Sequence, residues 1–283
     1  SEANKFMHPG ILHTKESLER MKYYVDHRIE PAYSSYRLLE ADSCALSTYQ
    51  MQGPFEVIAR LGVNKHTKRP SEDDHKAAYL NALMWTLTGD EAHARKSIEI
   101  LNAYSTTLKL IGPNDNDDPL CASLQGSMLA NAAELIKHTY SKVTPAEIAG
   151  WEKMLRTVFI PVLDTFFKAK PYTNGNWGAA ATKAYMAFGI FLEDEALYNQ
   201  AVHFYYNGHD NGTIKNYIGE NGQCQESGRD QDHVMFGLGN LAEACETAYN
   251  QGDEKMYAAL DNRLLTGYEY TAKYNLGESV PFT

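Results

Sequence analysis

The feature that most constrains this chain is a junction that recurs between apolar helical segments. Gly89-Asp90-Glu91, Glu193-Asp194-Glu195 and Gly252-Asp253-Glu254 each separate two such segments, and a fourth junction falls near residue 143. Carboxylates are common at helix N-termini because they face the positive end of the helix dipole, which is the simpler explanation for any one of them. The quasi-regular spacing of about 50–60 residues favours a repeat of helical hairpins packed side by side.

Helix signals dominate the rest of the chain. Ser71–Asp74 and Thr144–Glu147 read as capping boxes, and Pro145 suits a first helical position. No stretch shows the sustained alternation of a strand. Long helices with polar loops of unequal length predict an all-α protein, an α/α toroid built of antiparallel helical hairpins as a complete or incomplete barrel. We expect one such domain over residues 1–283, either whole or truncated at its C-terminus.

Charge and composition exclude several classes of protein. The formal net charge of −10 argues against a nucleic-acid binder, which needs a basic surface. No segment approaches the ~20 apolar residues of a membrane span. The polar start fits either a cytoplasmic protein or a mature exported protein whose signal has been removed, and a periplasmic or secreted location is the one predicted. The four cysteines form no CxxC pair, and spacing leaves their pairing open.

The first polar motif is Asn174-Gly175-Asn176-Trp177, directly before a helical segment. Asn-Gly favours a turn and asparagine is a good N-cap, so the motif is explained by a helix start with a packing tryptophan. The alternative is a cleft edge, where an amide binds an anionic oxygen and an indole stacks on a sugar ring.

The second polar motif begins another helix and contains Glu226, Arg229 and His233. Arg229 and His233 are four residues apart and share a helix face, and Glu226 is placed to orient the guanidinium. A guanidinium pairs with carboxylates, and histidine is the usual general base near neutral pH. An exposed network of ion pairs is the alternative. Gly237 and Gly239 count against it, because glycines within a helix are costly unless something packs closely there.

Other chemistry fits this second motif less well. Asp230 and His233, with Asp232 or Glu226, are too few for a convincing zinc site, so no metal and no cofactor are predicted. Glu226 and Asp230 lie on one helical turn, a poor arrangement for a glycosidase acid and base. Both polar motifs precede helices opposite the tight Asp-Glu turns, so we expect them at one end of the toroid, with Asn176 and His233 facing one cleft.

Several strings resemble the alginate-lyase-type family of polysaccharide lyases, in its Bacteroidetes-like branch. They are NGNW, GQCQESGRDQDH, the run that ends in YEYTAKYNLG, and the segment AAYLNALMWTLTGDEAHARKSIEILNAYSTTL, together covering roughly residues 75–280. The strings ESGRDQDH and YEYTAKYNLG are the specific ones. The resemblance implies an acidic polysaccharide substrate and β-elimination on a uronic-acid polymer.

The resemblance also implies residue roles. Asn176 and Arg229 would neutralise the substrate carboxylate, and His233 would take the proton or help to neutralise. The substrate-binding residues would be Trp177, Gln125 and Glu226. Related lyases often carry a tyrosine a few positions after the histidine, where this chain has Val234 to Leu238.

The catalytic acid must therefore come from elsewhere in the chain. Tyr274 is preferred for its place near a helix end, and Tyr217 and Tyr172 are the alternatives. Two other functions stay open at this point. A toroidal glycoside hydrolase would give saturated products, and a non-catalytic glycan-binding protein would release none.

Overall fold

The computed structural model describes residues 4–113, 117–168, 175–208, 211–227 and 231–281. These residues are predominantly helical, which confirms the predicted all-α class. The chain divides into two compact units, and each is described by itself. The N-terminal unit comprises residues 6–166, and the C-terminal unit comprises residues 1–5 and 167–283. The expectation of a single domain concerns how the units are joined and stays a prediction.

The N-terminal unit is a set of hairpins around two buried helices. Its helices are α1 (Lys15–Asp26), α2 (Ala32–Ala41), α3 (Lys68–Thr88), α4 (Glu91–Thr107), α5 (Asp118–Thr139) and α6 (Pro145–Met154). A π-helical turn, Leu155–Phe159, leads into α7 (Ile160–Lys168), which crosses the boundary between the units. Two short parallel strands, β1 (Val57–Ile58) and β2 (Leu110–Ile111), join the connecting loops.

The C-terminal unit repeats the hairpin pattern. Its helices are α8 (Gly175–Phe191), α9 (Glu195–Asn207), the short α10 (Ile214–Tyr217), α11 (Gln231–Asn250) and α12 (Lys255–Asn275). Nearly every residue of α8 is buried, as expected of a helix covered on all sides. Helix α9 buries only Ala201 and Tyr205. The two helices therefore form an inner and an outer layer.

The recurrent junctions are helix–helix turns, as predicted. Each turn has a left-handed residue followed by an aspartate that accepts from the start of the next helix. The left-handed residues are Gly89 (φ 73°), Glu193 (φ 55°) and Gly252 (φ 87°). The N-caps Asp90 and Asp194 accept from the backbone N–H of Ala92 (2.9 Å) and Leu197 (3.2 Å). Asp253, one residue before the N-cap of α12, accepts from the Lys255 N–H (2.9 Å). The shared motif thus has a shared physical cause, a chain reversal and a new N-cap within three residues.

One predicted cap is correct and one is wrong. Thr144 and Glu147 form a reciprocal capping box at the start of α6. Ser71, in contrast, lies inside α3, which begins three residues earlier at Lys68. Its hydroxyl donates to the Lys68 carbonyl, and Asp74 points into the core. Tertiary contacts to Asp74 outweighed the local capping signal.

The state of the cysteines and the presence of a membrane span can also be compared with the fold. All four cysteines are buried, and none is in a disulfide. No helix within the described residues is long and apolar enough to cross a membrane.

Candidate active site

The start of α8 is held by a loop distant in sequence. The backbone N–H of Gly175 donates to Oε1 of Gln225 at 3.2 Å. A glutamine side chain therefore pairs with one of the N–H groups that have no partner within the helix. Asn176 follows and is only 3% exposed, and its Oδ1 makes no hydrogen bond among the described residues. Asn174 and Tyr172 lie outside the described residues. Trp177, the next residue of the motif, is half-buried.

Gln225 belongs to a tight hairpin between α10 and α11. Ile218 and Cys224 form an isolated antiparallel bridge, and Gln225 N–H donates to the Tyr217 carbonyl at 2.6 Å. Arg263 braces the hairpin from α12 by donating to the Ile218 carbonyl at 3.0 Å. The hairpin therefore presents its side chains to α8 from a fixed backbone.

Tyr217 joins the starts of α8 and α11. A Cβ added at Gly175 would lie 2.5 Å from ring carbon Cδ2 of Tyr217, and one added at Gly237 would collide with the Tyr217 hydroxyl. That hydroxyl lies 3.3 Å from the His233 carbonyl and 3.4 Å from the Val234 carbonyl. The two helix starts are thus separated by one tyrosine side chain wedged between two glycines.

Gly237 confirms the prediction that something packs against a glycine in this helix. Gly239 does not, since nothing lies within 4 Å of an added Cβ there. Tyr217 itself is fully buried, which removes it as the acid that reaches a substrate. Burial raises its pKa far above the ordinary value, and the carboxylate of Glu226 raises it further. Tyr217 is therefore a protonated hydrogen-bond donor that positions the site.

The second motif is described in part. His233 is half-buried in the first turn of α11, and Asp232 is exposed. Glu226 is buried, and its Oε2 accepts from the Tyr217 hydroxyl at 3.5 Å. Arg229 and Asp230 lie outside the described residues. Asn176 and His233 follow helix starts on either side of Tyr217, and their facing one cleft within about 10 Å stays a prediction.

Helices α8 and α11 run in the same direction. Tyr217 contacts the start of each, and Lys183 pairs with Glu243 about two turns further along. Parallel neighbours place both N-termini at one end, where their partial positive charges add. The starts of α8 and α11 therefore favour an anion at this end of the C-terminal unit.

Tyr274 lies at the same end of the C-terminal unit. An added Cβ at Gly222, in the hairpin, would approach Tyr270 of α12 to 2.8 Å, and Tyr274 is one turn further on. Its side chain is 53% exposed. This position suits a proton donor to a bound ligand, and the role itself stays a prediction.

Gln125 lies in the N-terminal unit on α5 and is almost fully buried. Among the described residues, neither its Oε1 nor a ring nitrogen of the neighbouring His75 on α3 has a hydrogen bond of acceptable geometry. Burial lowers the pKa of His75 to about 4, so the ring is neutral. The predicted role of Gln125 in a sugar subsite is untested by this geometry.

Comparison with known proteins defines the class. A family model described as alginate lyase matches residues 50–282, so the chain belongs to the alginate lyase family and is a polysaccharide lyase. No individually curated protein matches it.

Several solved structures share the fold. Alginate lyase A1-III from Sphingomonas species A1 aligns with a TM-score of 0.71 and 13% identity, over 92% of this chain and 77% of that chain. A histidine-to-alanine variant of A1-III, complexed with a tetrasaccharide, gives 0.72 and 14% over 94% and 79%. An alginate lyase from Bacteroides ovatus gives 0.69 and 15% over 95% and 84%. These likenesses establish the predicted α/α toroid class.

Sequence reasoning missed two residues that organise this site. Gln225 lies in the string GQCQESGRDQDH without a role assigned to it, and Tyr217 entered only as a candidate acid. Gly237 was the one sequence feature that pointed to this packing, because a glycine within a helix is costly and indicates a close neighbour. It does not identify which residue that neighbour is.

Proposed function

We propose that this lyase cleaves a polyuronate such as alginate by β-elimination at the α8 and α11 starts. The observation that carries the proposal is the amide of Asn176, buried at a helix N-terminus with an acceptor oxygen that no described residue satisfies. Buried polar atoms are normally paired, so an unpaired one in a family of polysaccharide lyases indicates a ligand position. A sugar ring offers hydroxyl donors for that oxygen.

The substrate carboxylate is the next requirement. The proton on C5 is weakly acidic while the neighbouring carboxylate is anionic, because its removal adds a second negative charge. The Nδ2 of Asn176, the parallel helix N-termini and Arg229 would oppose that charge. A protein with a net charge of −10 repels an anionic polymer as a whole. Local positive potential at the site would offset that repulsion where the polymer binds.

The proton transfers complete the reaction. His233 takes the C5 proton, the C4–C5 double bond forms, and the bond from C4 to the glycosidic oxygen breaks. Tyr274 donates a proton to that departing oxygen. Trp177, Gln125 and Glu226 would contribute to sugar binding, with Glu226 acting through Tyr217 and the start of α11. Such a polymer is degraded outside the cytoplasm, which fits a periplasmic or secreted enzyme.

The test is a panel of polymannuronate, polyguluronate and polyglucuronate, followed by ultraviolet absorbance of the new double bond. We expect absorbance from at least one polymer. Cleavage without absorbance would indicate a hydrolase, and binding without cleavage would indicate a glycan-binding protein. Either result overturns the proposed reaction.

Variants assign the roles. His233→Ala should lower kcat by ~10²–10⁴, and Arg229→Ala by ~10²–10³, without a change in melting temperature. Asp232→Ala is the matched control, since Asp232 is exposed on the same helical turn. Full activity of the His233→Ala enzyme would remove His233 as the base.

A further inference from the structure

A second cluster of chemically capable side chains lies in the N-terminal unit. Nδ1 of His8 is 2.7 Å from Oε2 of Glu134, and Nε2 of His138 is 3.3 Å from Oε1 of the same carboxylate. Glu134 and His138 are one turn apart on α5, whereas His8 precedes α1. The two imidazole rings stack on each other with centroids 4.2 Å apart.

Two of the three side chains in this cluster are almost fully buried. The Glu134 side chain is 2% exposed and that of His8 is 4% exposed. Nδ1 of His8 is within hydrogen-bond distance of Glu134 Oε2, whereas Oε1 of Glu134 and Nε2 of His138 have no hydrogen-bond partner among the described residues. A metal ion between the three side chains would give these unpaired atoms a partner.

We propose that His8, Glu134 and His138 bind a zinc ion. Two imidazole nitrogens and one carboxylate oxygen form the ligand set of a three-ligand zinc site, with a fourth position left for water. One potential ligand atom from each residue lies within 4.8 Å of the other two. Around a tetrahedral ion with bonds of ~2.0–2.2 Å, ligand atoms are about 3.3 Å apart. The 3.3 Å from His138 Nε2 to Oε1 matches this spacing, and the 2.7 Å from His8 Nδ1 to the other carboxylate oxygen, Oε2, is about 0.6 Å shorter than it.

The surroundings meet two further requirements of a metal site. Gly10 N–H donates to Oε2 of Glu134 at 3.1 Å, which orients the carboxylate from outside the cluster. A cavity of about 350 Å³ reaches the cluster and is lined by both histidines, Trp85 and Thr139. The cavity gives the ion a path and gives the fourth ligand a place.

Bound zinc would fasten the N-terminal segment to α5. Residues 8–10 contact Glu134 through His8 and Gly10, and Leu12 N–H reaches Asn131 Oδ1 one turn earlier on the same helix at 3.3 Å. The site is thus structural and independent of the proposed elimination. No local pattern in the sequence predicts the site, because His8 is 126 residues from Glu134 and further still from His138.

The test begins with protein freed of metal by a chelator. Calorimetric titration with zinc chloride should show one tight site, and elemental analysis after dialysis should give about one zinc per chain. Zinc should also raise the melting temperature, because it binds the folded state selectively. Anomalous scattering at the zinc edge should place the ion between the three side chains.

Variants separate this site from adventitious binding. His138→Ala should weaken zinc binding by ~100-fold or more and abolish the zinc-dependent rise in melting temperature. His138 is 20% exposed, so the replacement is expected to fold even if His8→Ala does not. The matched control is His13→Asn, a histidine of the same segment that bonds Tyr79 instead. Absence of tight binding in the wild type, or undiminished binding in His138→Ala, would overturn the proposal.

Discussion

Two buried polar side chains, one in each unit, differ in how their bonding capacity is used. Asp74 on α3 accepts four hydrogen bonds. They come from the Tyr49 hydroxyl (2.6 Å), Gln52 N–H (2.8 Å), Gly53 N–H (2.9 Å) and the Tyr104 hydroxyl (2.6 Å). Asn176 on α8 is equally enclosed, yet its Oδ1 accepts none among the described residues.

Asp74 uses its hydrogen-bonding capacity within the fold, whereas Asn176 has an acceptor oxygen that no described residue uses. Asp74 connects the loop at residues 49–53 and helix α4 to α3, and each of its bonds stabilises the fold. A buried oxygen without a partner destabilises the fold, and under the proposed function the substrate supplies the partner that Asn176 lacks among the described residues. Replacing each residue should therefore affect different measurements.

The largest effect is expected at Asp74. Asp74→Ala leaves two hydroxyls and two backbone N–H groups without their acceptor, at ~1–3 kcal/mol for each donor that stays buried. We expect the free energy of unfolding to fall by about 3–5 kcal/mol in urea titration. Asp73→Ala is the control, because Asp73 accepts only a 3.3 Å bond from an exposed glutamine. Similar losses in the two variants would contradict the assignment of Asp74 as a structural centre.

The second prediction concerns Asn176. Asn176→Ala should lower kcat/KM by ~10²–10³, the cost of one lost electrostatic donor, while unfolding changes by no more than about 1 kcal/mol. Asn176→Asp should be less active still, since it sets a carboxylate against that of the substrate. Kinetics and urea unfolding on the same preparations check both parts. A large stability loss with unchanged activity would make Asn176 a structural residue like Asp74.

The smallest effect tests how the α8 site is held. Gly237→Ala should destabilise by about 1–3 kcal/mol, because the new methyl group collides with Tyr217. Gly239→Ala, two residues along the same helix, should stabilise by ~0.5–1 kcal/mol through helix propensity. Adding Tyr217→Phe should recover only part of the Gly237→Ala loss, since the ring remains close. Equal effects at the two glycines would show that Tyr217 does not occupy the observed position.

The hairpin repeat was predictable because its causes are local. An aspartate that caps a helix accepts from a backbone N–H two or three residues away. The local sequence around Asp90 and Asp194 is therefore enough to predict these turns. The same kind of reasoning failed at Ser71. There the local signal was outweighed by Asp74, whose partners lie 21 to 30 residues away.

The sequence by itself determined the all-α class, the helix–helix turns and the residue types on which the proposed substrate site rests. Only the tertiary structure decided that Tyr217 fits between Gly175 and Gly237, that Gln225 caps α8, and that His8 meets α5. The physical reason is the range of the forces involved. Caps and helix periodicity act within a few residues, whereas contacts across tens of residues depend on how whole helices pack.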